Sequence, residues 1–592
     1  MNFKKVNIIE NGICWIHEKL NEKQFLIFSS ILVGLSAGLA AVILKFFVHS
    51  IRKYIVEENL LHFNSIFVYL LLPTVGLCLT VFIVHRFFKG NLQKGTDNIL
   101  FSIAKNGSFL PFSQMYSHII TSAVTVGFGG SSGLESPIVS TGSAIGSNYA
   151  RRYKLSYKDR TLLLAAGAAG GIAGAFNAPI AGILFALEVL LVDVSITSFI
   201  PLLIASASGA LLSKIILKEN ILLYFKLKQD FNYHNVPFYI VLGLIAGIVS
   251  IYHVNFFTKT DSLFKKIKSG YIRPIFGGLI LALLFAFFPT LFGEGYESIK
   301  SLADMQLQSL FKDSVIGGFI SNNWLILAFI CTTLFLKAIA VGVTLGSGGI
   351  GGNFAPSLFI GAYLGFTFAY ILKLLGFENI PITNFILVAM AGTLSGVFHA
   401  PLTAIFLIAE ITGGYELIIP LMLVSSISFI IVKKIHPDSM DVRKLKEKGT
   451  IISENKDTSI LGKIEIENLI ERDFMCIYPE DKLRSIVEKI KNSKRNTFPV
   501  IDQTNKLVGI INLDNIKKEM FNPELYDNVI AKELMRKPET KIKASDDIFI
   551  IMKKFDESGQ WNLPVTDDGI YVGFLSKSSI LTKYRNELLT SV

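Results

Sequence analysis

Long uncharged apolar runs dominate the first three quarters of the chain. Six of them are long enough for an α-helix to cross the roughly 30 Å hydrocarbon core of a bilayer. They cover residues 25–44, 60–84, 194–212, 236–257, 274–292 and 315–336. Two longer runs, 338–372 and 379–409, are interrupted by Gly and Pro. We expect each of these two to form a pair of short helices that meet inside the membrane, where irregular backbone is tolerated only if protein or a watery cavity surrounds it.

The pattern changes from about residue 468 onward to short alternating strands and amphipathic helices. The segment FPVID at 498–502, followed by LVGII at 507–511, recurs as NLPVTD at 562–567, followed by YVGFL at 571–575. Two short strands around a polar turn, followed by a helix, therefore occur twice. This predicts a tandem pair of small α+β domains.

Charge divides the chain at nearly the same place. Residues 1–435 carry 31 Lys and Arg against 20 Asp and Glu, whereas residues 436–592 carry 26 of each, so the net charge of +11 belongs to the first part. The first part is apolar, and the tail is rich in charged residues but has no net charge. This division excludes a single soluble globule, a disulfide scaffold and a disordered chain. The predicted divisions are a cytoplasmic or interfacial segment (1–24), an all-α polytopic membrane domain (25–435, halves about 60–217 and 236–435), a linker (436–467) and the tandem domains (468–592, about 468–520 and 530–585).

The cysteine positions and the charge of the loops indicate where in the cell the protein lies. The four cysteines are scattered without metal-ligand spacing, so neither a disulfide framework nor a metal site is expected. Basic residues in the N-terminal segment and the loops favour a cytoplasmic N-terminus. We expect a multi-pass protein of a bacterial inner membrane, with the C-terminal domains in the cytoplasm and no nucleic-acid partner.

An internal duplication links the two halves of the membrane domain. GAFNAPIAGI at 174–183 matches GVFHAPLTAI at 396–405, and GGSSGLESP at 129–137 matches GGIGGNFAP at 348–356 in the same order. Each block is rich in glycine and then reaches a proline, the pattern of a loop that opens a helix. Membrane carriers built from paired repeats place their site at the repeat interface, on the ends of broken helices.

The chemistry of such helix ends predicts a small anion as the substrate. Free backbone N–H groups and the helix dipole make a helix N-terminus an anion site, and glycine lets the backbone approach the ion closely. Glu135 lies in the first block, and a carboxylate within the membrane is costly enough to indicate a function. Because a carboxylate competes with an anion for the same amides, proton uptake and anion binding would be linked.

These blocks resemble the CLC family of chloride channels and chloride/proton antiporters. GLESP at 133–137 is similar to the family's GxExP segment, and GNFAP at 352–356 is similar to its GxFxP segment. The resemblance implies an inverted-repeat bundle with broken helices, a homodimer in the bilayer, one chloride pathway per subunit and proton exchange gated by Glu135. The anion-binding residues that it implies are Gly133, Leu134, Glu135, Gly352, Asn353, Phe354 and Ala355.

Three positions depart from the family's pattern. Val189 stands where antiporters often carry an inner proton glutamate, which favours a passive chloride channel as the alternative. Lys94 aligns with the serine whose hydroxyl would meet the anion, and Asp441 takes the place of an inner tyrosine. Lys94 and Asp441 are therefore the candidate residues of the inner gate.

Other polar residues of the repeats have structural interpretations. Glu188 and Glu410 are repeat mates, which favours a shared role in hydrogen bonding at helix ends over proton transfer. His399 matches Asn177, which indicates a polar cap. GSSG at 130–133 also fits the GxSG pattern of an intramembrane serine protease, with His399 as its base, but the repeat partner lacks the serine, and we expect no enzyme.

The tail resembles a pair of cystathionine-β-synthase-type (CBS) domains. CBS pairs often bind an adenine nucleotide between their two domains, so the resemblance makes such a nucleotide a candidate ligand. Asn515 and Ser579, however, stand where an acidic residue would hold the ribose. We therefore expect a dimerisation and coupling module, with no certain cofactor.

Overall fold

The computed structural model describes most of both predicted parts of the chain. The described residues are 19–54, 66–90, 92, 95–191, 196–217, 231–267, 270–447, 461, 464 and 466–591. Internal contacts divide the chain into two compact units, Met1–Thr450 and Ile451–Val592. Most of the predicted N-terminal segment, and also Lys94, lie outside the described residues.

The first unit is a bundle of α-helices. In its first half these are α1 (Glu22–Arg52), α2 (Ile66–Phe88), α3 (Thr96–Lys105), α4 (Gln114–Gly127), α5 (Glu135–Arg152), α6 (Tyr157–Phe176), α7 (Pro179–Phe185) and α8 (Ile196–Leu217). In its second half they are α9 (Val236–Lys265), α10 (Ile272–Phe287), α11 (Tyr296–Ala303), α12 (Asn323–Gly346), α13 (Phe354–Leu374), α14 (Ile382–Phe398), α15 (Pro401–Thr412), α16 (Ile418–Ile435) and α17 (Met440–Glu447). Seven helices among the described residues are long and apolar enough to cross a bilayer. The unit is a multi-pass membrane domain.

The two long runs interrupted by Gly and Pro each contain two helices, as predicted. One breaks between α12, which ends at Gly346, and α13, which begins at Phe354. The other breaks between α14 and α15, which begins at Pro401, a residue suited to a first helical turn. The run 315–336 differs from its prediction, because α12 begins only after Asn322, whose side chain accepts a hydrogen bond from the Leu325 amide at 2.8 Å.

The glycine-rich loops of the two repeats meet at the centre of this unit. Gly133 and Gly352 form an antiparallel bridge in which each N–H donates to the other's carbonyl, at 2.9 and 2.8 Å. The same turn precedes each half of the bridge, and it requires the positive φ of Gly129 (95°) and Gly348 (110°). The duplication is thus an inverted repeat whose two halves join through these loops.

Residues 440–447 belong to the membrane unit, although they lie inside the segment expected to be a linker. They form α17, which packs against α3 and α14. Met440 lies in an apolar cluster with Val254, Phe257 and Val341. This packing brings the start of α17 into the interior of the unit.

The second unit has the predicted strand and helix repeat. Its elements are α18 (Leu483–Asn492), β1 (Thr497–Ile501), β2 (Leu507–Asn512), α19 (Leu513–Ile516), α20 (Ala531–Leu534), α21 (Ile548–Ser558), β3 (Asn562–Asp567), β4 (Ile570–Ser576) and α22 (Lys577–Ser591). β1 pairs antiparallel with β2, and β3 with β4. Each hairpin has its own apolar core, one around Phe498 and one around Phe555.

The two hairpins of this unit are related by symmetric edge contacts. Ile510 of β2 bridges to Arg536, and Phe574 of β4 bridges to Glu471. Next to the second bridge, Arg495 binds Asp473 with two nitrogens, Nη2 at 2.6 Å and Nε at 3.2 Å. This pairing holds the pKa of the Asp473 carboxyl below its ordinary value.

Candidate functional site

Glu135 lies where the two repeats meet. It is the first residue of α5, and its side chain is only 4% exposed. Its Oε2 accepts a hydrogen bond from the Ala355 amide of α13 at 3.4 Å, and its Oε1 accepts one from the Tyr296 hydroxyl. A carboxylate from one repeat therefore occupies the helix N-terminus of the other.

The structure brings the predicted anion-binding residues together. Glu135, Gly352, Asn353 and Phe354 line one cavity of about 60 Å³. Ala355 donates its amide to the carboxylate. The remaining two predicted residues lie beside it in the chain. Leu134 is the N-cap of α5, and a Cβ on Gly133 would lie 2.2 Å from Glu135 Oε2, so this close approach needs glycine.

An aromatic cluster from both repeats surrounds Phe354. Its ring centroid lies 5.7 Å from that of Phe176, 5.5 Å from that of Phe398 and 6.3 Å from that of Phe185. Phe176 and Phe398 occupy matching positions of the duplication. These apolar rings give the cavity a nonpolar side, so polar contacts to an anion must come from the other lining residues.

Asn353 adds a side-chain amide to the lining of the cavity. Its Oδ1 lies 2.9 Å from Nε2 of the buried His253, and its Nδ2 lies 3.7 Å from Met440 Sδ. Because His253 Nδ1 has no hydrogen-bond partner among the described residues, we assign a ring proton to Nε2, which donates it to Oδ1. This orients the Asn353 amino group away from His253. Sequence reasoning did not find His253.

Asp441 lines the same cavity as Glu135, together with Thr96 and Lys444. Asp441 is 7% exposed, and Thr96 contributes a side-chain hydrogen bond to it. Thr96 supplies a hydroxyl two residues beyond Lys94, and the motif comparison missed it. Val189 lies on a π-helical turn at Ala186–Leu190 and brings no ionisable group.

Two lysines within apolar helices form an unpredicted group near Glu135. Lys45 donates to the carbonyl of Ala175, and Lys337, fully buried, donates to the carbonyl of Gly293 at 3.0 Å. Both interact electrostatically with Glu294, which also interacts with Glu135. The signal was available in the sequence, since each lysine directly adjoins a long uncharged run.

The structural roles predicted for the repeat mates are confirmed. Glu188 accepts hydrogen bonds from the amides of Leu402 (3.0 Å) and Thr403 (2.7 Å) at the start of α15. Glu410 accepts them from Ile180 and Ala181, both at 2.9 Å, at the start of α7. Each repeat thus caps a helix of the other.

Asn177 and His399 are equivalent C-caps. Both have a left-handed backbone, with φ of 53° and 57°, and they end α6 and α14. The ring of His399 packs edge-on against Phe429. The predicted cap role is confirmed for this pair.

Two inverted repeats whose helix ends converge on a buried site, in a multi-pass membrane unit, define an ion-transport protein. Comparison with known proteins gives the family. The family model for the voltage gated chloride channel matches residues 75–433, and the CBS domain model matches residues 466–522 and 531–586. The chain therefore belongs to the voltage-gated chloride channel (CLC) family and carries a C-terminal pair of CBS domains.

Individual relatives and solved structures agree with this assignment. The chain is 29% identical over 384 residues to a ClcB-like chloride channel protein of Ralstonia nicotianae, covering 64% of this chain and 85% of that one. The fold is similar to that of a slow cyanobacterial Cl⁻/H⁺ antiporter (TM-score 0.63, 20% identity, 72% of this chain and 98% of the other). It is also similar to a eukaryotic CLC transporter (TM-score 0.61, 17% identity, 94% and 97%).

Proposed function

We propose that this chain moves chloride across the membrane through one pathway in each subunit of a homodimer, and that Glu135 gates the pathway in exchange for protons. The observation that carries the proposal is the Glu135 carboxylate on the Ala355 amide of the opposite repeat. The carboxylate is itself a small anion held by a helix N-terminus, so it stands in for chloride.

Protonation of Glu135 would open this position. The neutral carboxylic acid binds the helix end more weakly than the carboxylate does, because the helix dipole favours negative charge. Loss of one negative charge also leaves Lys45, which interacts with both Glu135 and Glu294, with Glu294 as its remaining carboxylate partner among the described residues, and this raises the potential at the site. Each bound proton therefore favours entry of an anion, and reciprocal linkage makes anion binding favour protonation.

A passive chloride channel is the second candidate, and Val189 favours it. Carboxylate gating by Glu135 serves a channel as well as an exchanger. A channel, however, needs no proton path from the second side of the membrane. The two candidates differ in whether chloride running down its gradient can drive protons uphill.

The surroundings of Ser132, the nucleophile that an intramembrane protease would need, do not favour that function. Ser132 Oγ is buried and has no hydrogen-bond partner among the described residues, so no base activates it there. The Ser132→Ala variant is therefore a useful control, and we expect it to transport normally.

Reconstitution in liposomes with an imposed chloride gradient tests the proposal. We expect chloride flux with uphill proton movement, and we expect Glu135→Ala to keep chloride flux while the proton movement disappears. Proton movement is followed with an external pH electrode and chloride with an ion-selective electrode. Chloride flux without proton movement in the unmodified protein would establish the channel instead, and absence of chloride flux would reject both candidates.

We also propose that the CBS pair lies in the cytoplasm of a bacterial cell and couples or stabilises the two subunits. The neutral, highly charged composition of residues 436–592 supports a location in water. Its paired hairpins and separate apolar cores support an independent folding unit.

A further inference from the structure

Asp441 is a buried carboxylate that shares a cavity with the gate. It is the second residue of α17, and it lines the cavity that Glu135 and Asn353 also line. It is 7% exposed and receives a side-chain hydrogen bond from Thr96. Burying a carboxylate inside a membrane domain costs free energy, so its presence there indicates a function.

Among the described residues, one cation lies close to Asp441. Lys444 of its own helix lines the same cavity, and Asp97 of α3 acts on Asp441 as a second negative charge. The other helix that packs on α17 is α14, whose sequence ITNFILVAMAGTLSGVF contains no ionisable side chain.

The cavity that the two carboxylates line is large enough for water. The cavity volume of about 60 Å³ exceeds the roughly 10–15 Å³ that a cavity needs to hold a water molecule. Protons move along such waters by exchange between neighbouring oxygens. The cavity thus offers a path between Asp441 and Glu135 that needs no ionisable residue at Val189.

We propose that Asp441 is the second proton carrier of the exchange cycle, and this inference rests on the function proposed above. Protonated Asp441 releases its proton to cavity water, and the Glu135 carboxylate accepts that proton. Glu135 then leaves the Ala355 amide, and an anion takes its place. One proton is thereby moved from Asp441 to Glu135 without a change in covalent bonding elsewhere, and the reverse sequence returns it.

The Asp441→Asn variant in the liposome assay tests this role. The amide keeps the size and polarity of the side chain but carries no exchangeable acid. We expect chloride flux to remain, and uphill proton movement to fall by about a hundredfold or more, because a positioned proton-transfer group typically contributes at least about that factor. Asp441→Glu retains a carboxyl group and is expected to retain proton movement.

Asp438→Asn is the matched control. Asp438 lies in the same segment, but its carboxylate binds Lys446 Nζ at 2.7 Å and lies outside the residues that line the cavity. We expect this variant to exchange chloride for protons as the unmodified protein does. If Asp441→Asn fails to assemble, as judged by gel filtration, Asp441→Ser replaces it with the same expected result.

The outcomes separate this inference from the proposed function. Full proton movement in Asp441→Asn would overturn the role of Asp441 and leave Glu135-gated exchange intact. A folded Asp441→Asn protein that loses chloride and proton flux together would also overturn it, because the residue would then belong to the anion path. Chloride flux without protons in the unmodified protein would reject both exchange and the proton role of Asp441.

Discussion

Among single residues, Asn353 has the most specific chemistry in the cavity. Backbone amides bind any small anion, but the orientation of a side-chain amide is fixed by its partners. His253 Nε2 donates a hydrogen bond to Asn353 Oδ1 at 2.9 Å, and Asn353 Nδ2 therefore lies beside Met440. The cavity thereby gains a donor that the backbone does not provide, and this donor depends on a histidine from α9.

Asn353→Ala is expected to weaken chloride binding about tenfold to a hundredfold, because a hydrogen bond to a charged partner contributes about 1.5–3 kcal/mol. His253→Phe should change the affinity in the same direction but less, since the amide remains and only loses its orientation. Isothermal titration calorimetry of the detergent-solubilised protein measures both. Asn322→Ala removes an exposed amide at the start of α12 and serves as the control, and an unchanged affinity in Asn353→Ala would contradict the assignment.

Each repeat contributes a glutamate that caps a helix of the other repeat, and these contacts hold the two helices together. Glu188 follows α7 and caps α15, and Glu410 near the end of α15 caps α7. Each carboxylate accepts two backbone N–H groups that have no partner within their own helix. Charge-assisted bonds of this kind are among the stronger hydrogen bonds in proteins. Both glutamates therefore stabilise the helix pair.

We expect Glu188→Gln and Glu410→Gln each to destabilise the membrane unit by about 1–2 kcal/mol, because the amide loses the charge and one of its two acceptor oxygens. Both variants should still move protons against their gradient. Thermal midpoints in detergent and the liposome assay report the two effects separately. Glu416→Gln changes an exposed glutamate and should alter neither quantity. Loss of proton movement in Glu188→Gln at normal stability would assign it a transport role instead.

Across the whole membrane unit, matching contacts cross between the two inverted halves. The Ser131 amide donates to Thr344 Oγ1 at 3.1 Å, and the Ile350 amide donates to Thr125 Oγ1 at 3.0 Å. The two threonines are repeat mates, and each also donates its hydroxyl to the carbonyl four residues earlier in its own helix. These contacts flank the Gly133–Gly352 bridge and position both anion-binding loops.

Thr125→Val and Thr344→Val are expected to cost about 1–3 kcal/mol each, because each leaves a buried backbone N–H of the opposite repeat without an acceptor. Thr125→Val should cost somewhat more, since Thr125 Oγ1 also lies 3.0 Å from Thr80 Oγ1. Thermal midpoints measure the loss of stability, and chloride flux measures the disturbance of the loops. Thr332→Val removes an exposed hydroxyl that bonds only within its own helix. A normal midpoint in either buried variant would show that the loops do not depend on this exchange.

The duplication made much of the site predictable from sequence. Glu135 was singled out because it lies in one of two glycine-rich blocks that recur in the same order, whereas Phe354 and Asp441 were predicted from the resemblance to the CLC family. Tyr296, Lys337 and His253 were missed, because they lie in elements outside the repeated blocks. Lys45 was likewise missed, although its place beside an apolar run was a usable signal.

Sequence alone determined the membrane class, the broken helices and the duplication, because apolar run length, the positions of Gly and Pro and the order of the repeated blocks can all be read along the chain. Only the tertiary structure decided which side chains meet. Tyr296 reaches a carboxylate 161 positions earlier, and the Ala355 amide reaches the same carboxylate across 220 positions. Contacts of that range follow from how helices pack against one another, and no periodicity along the chain records them.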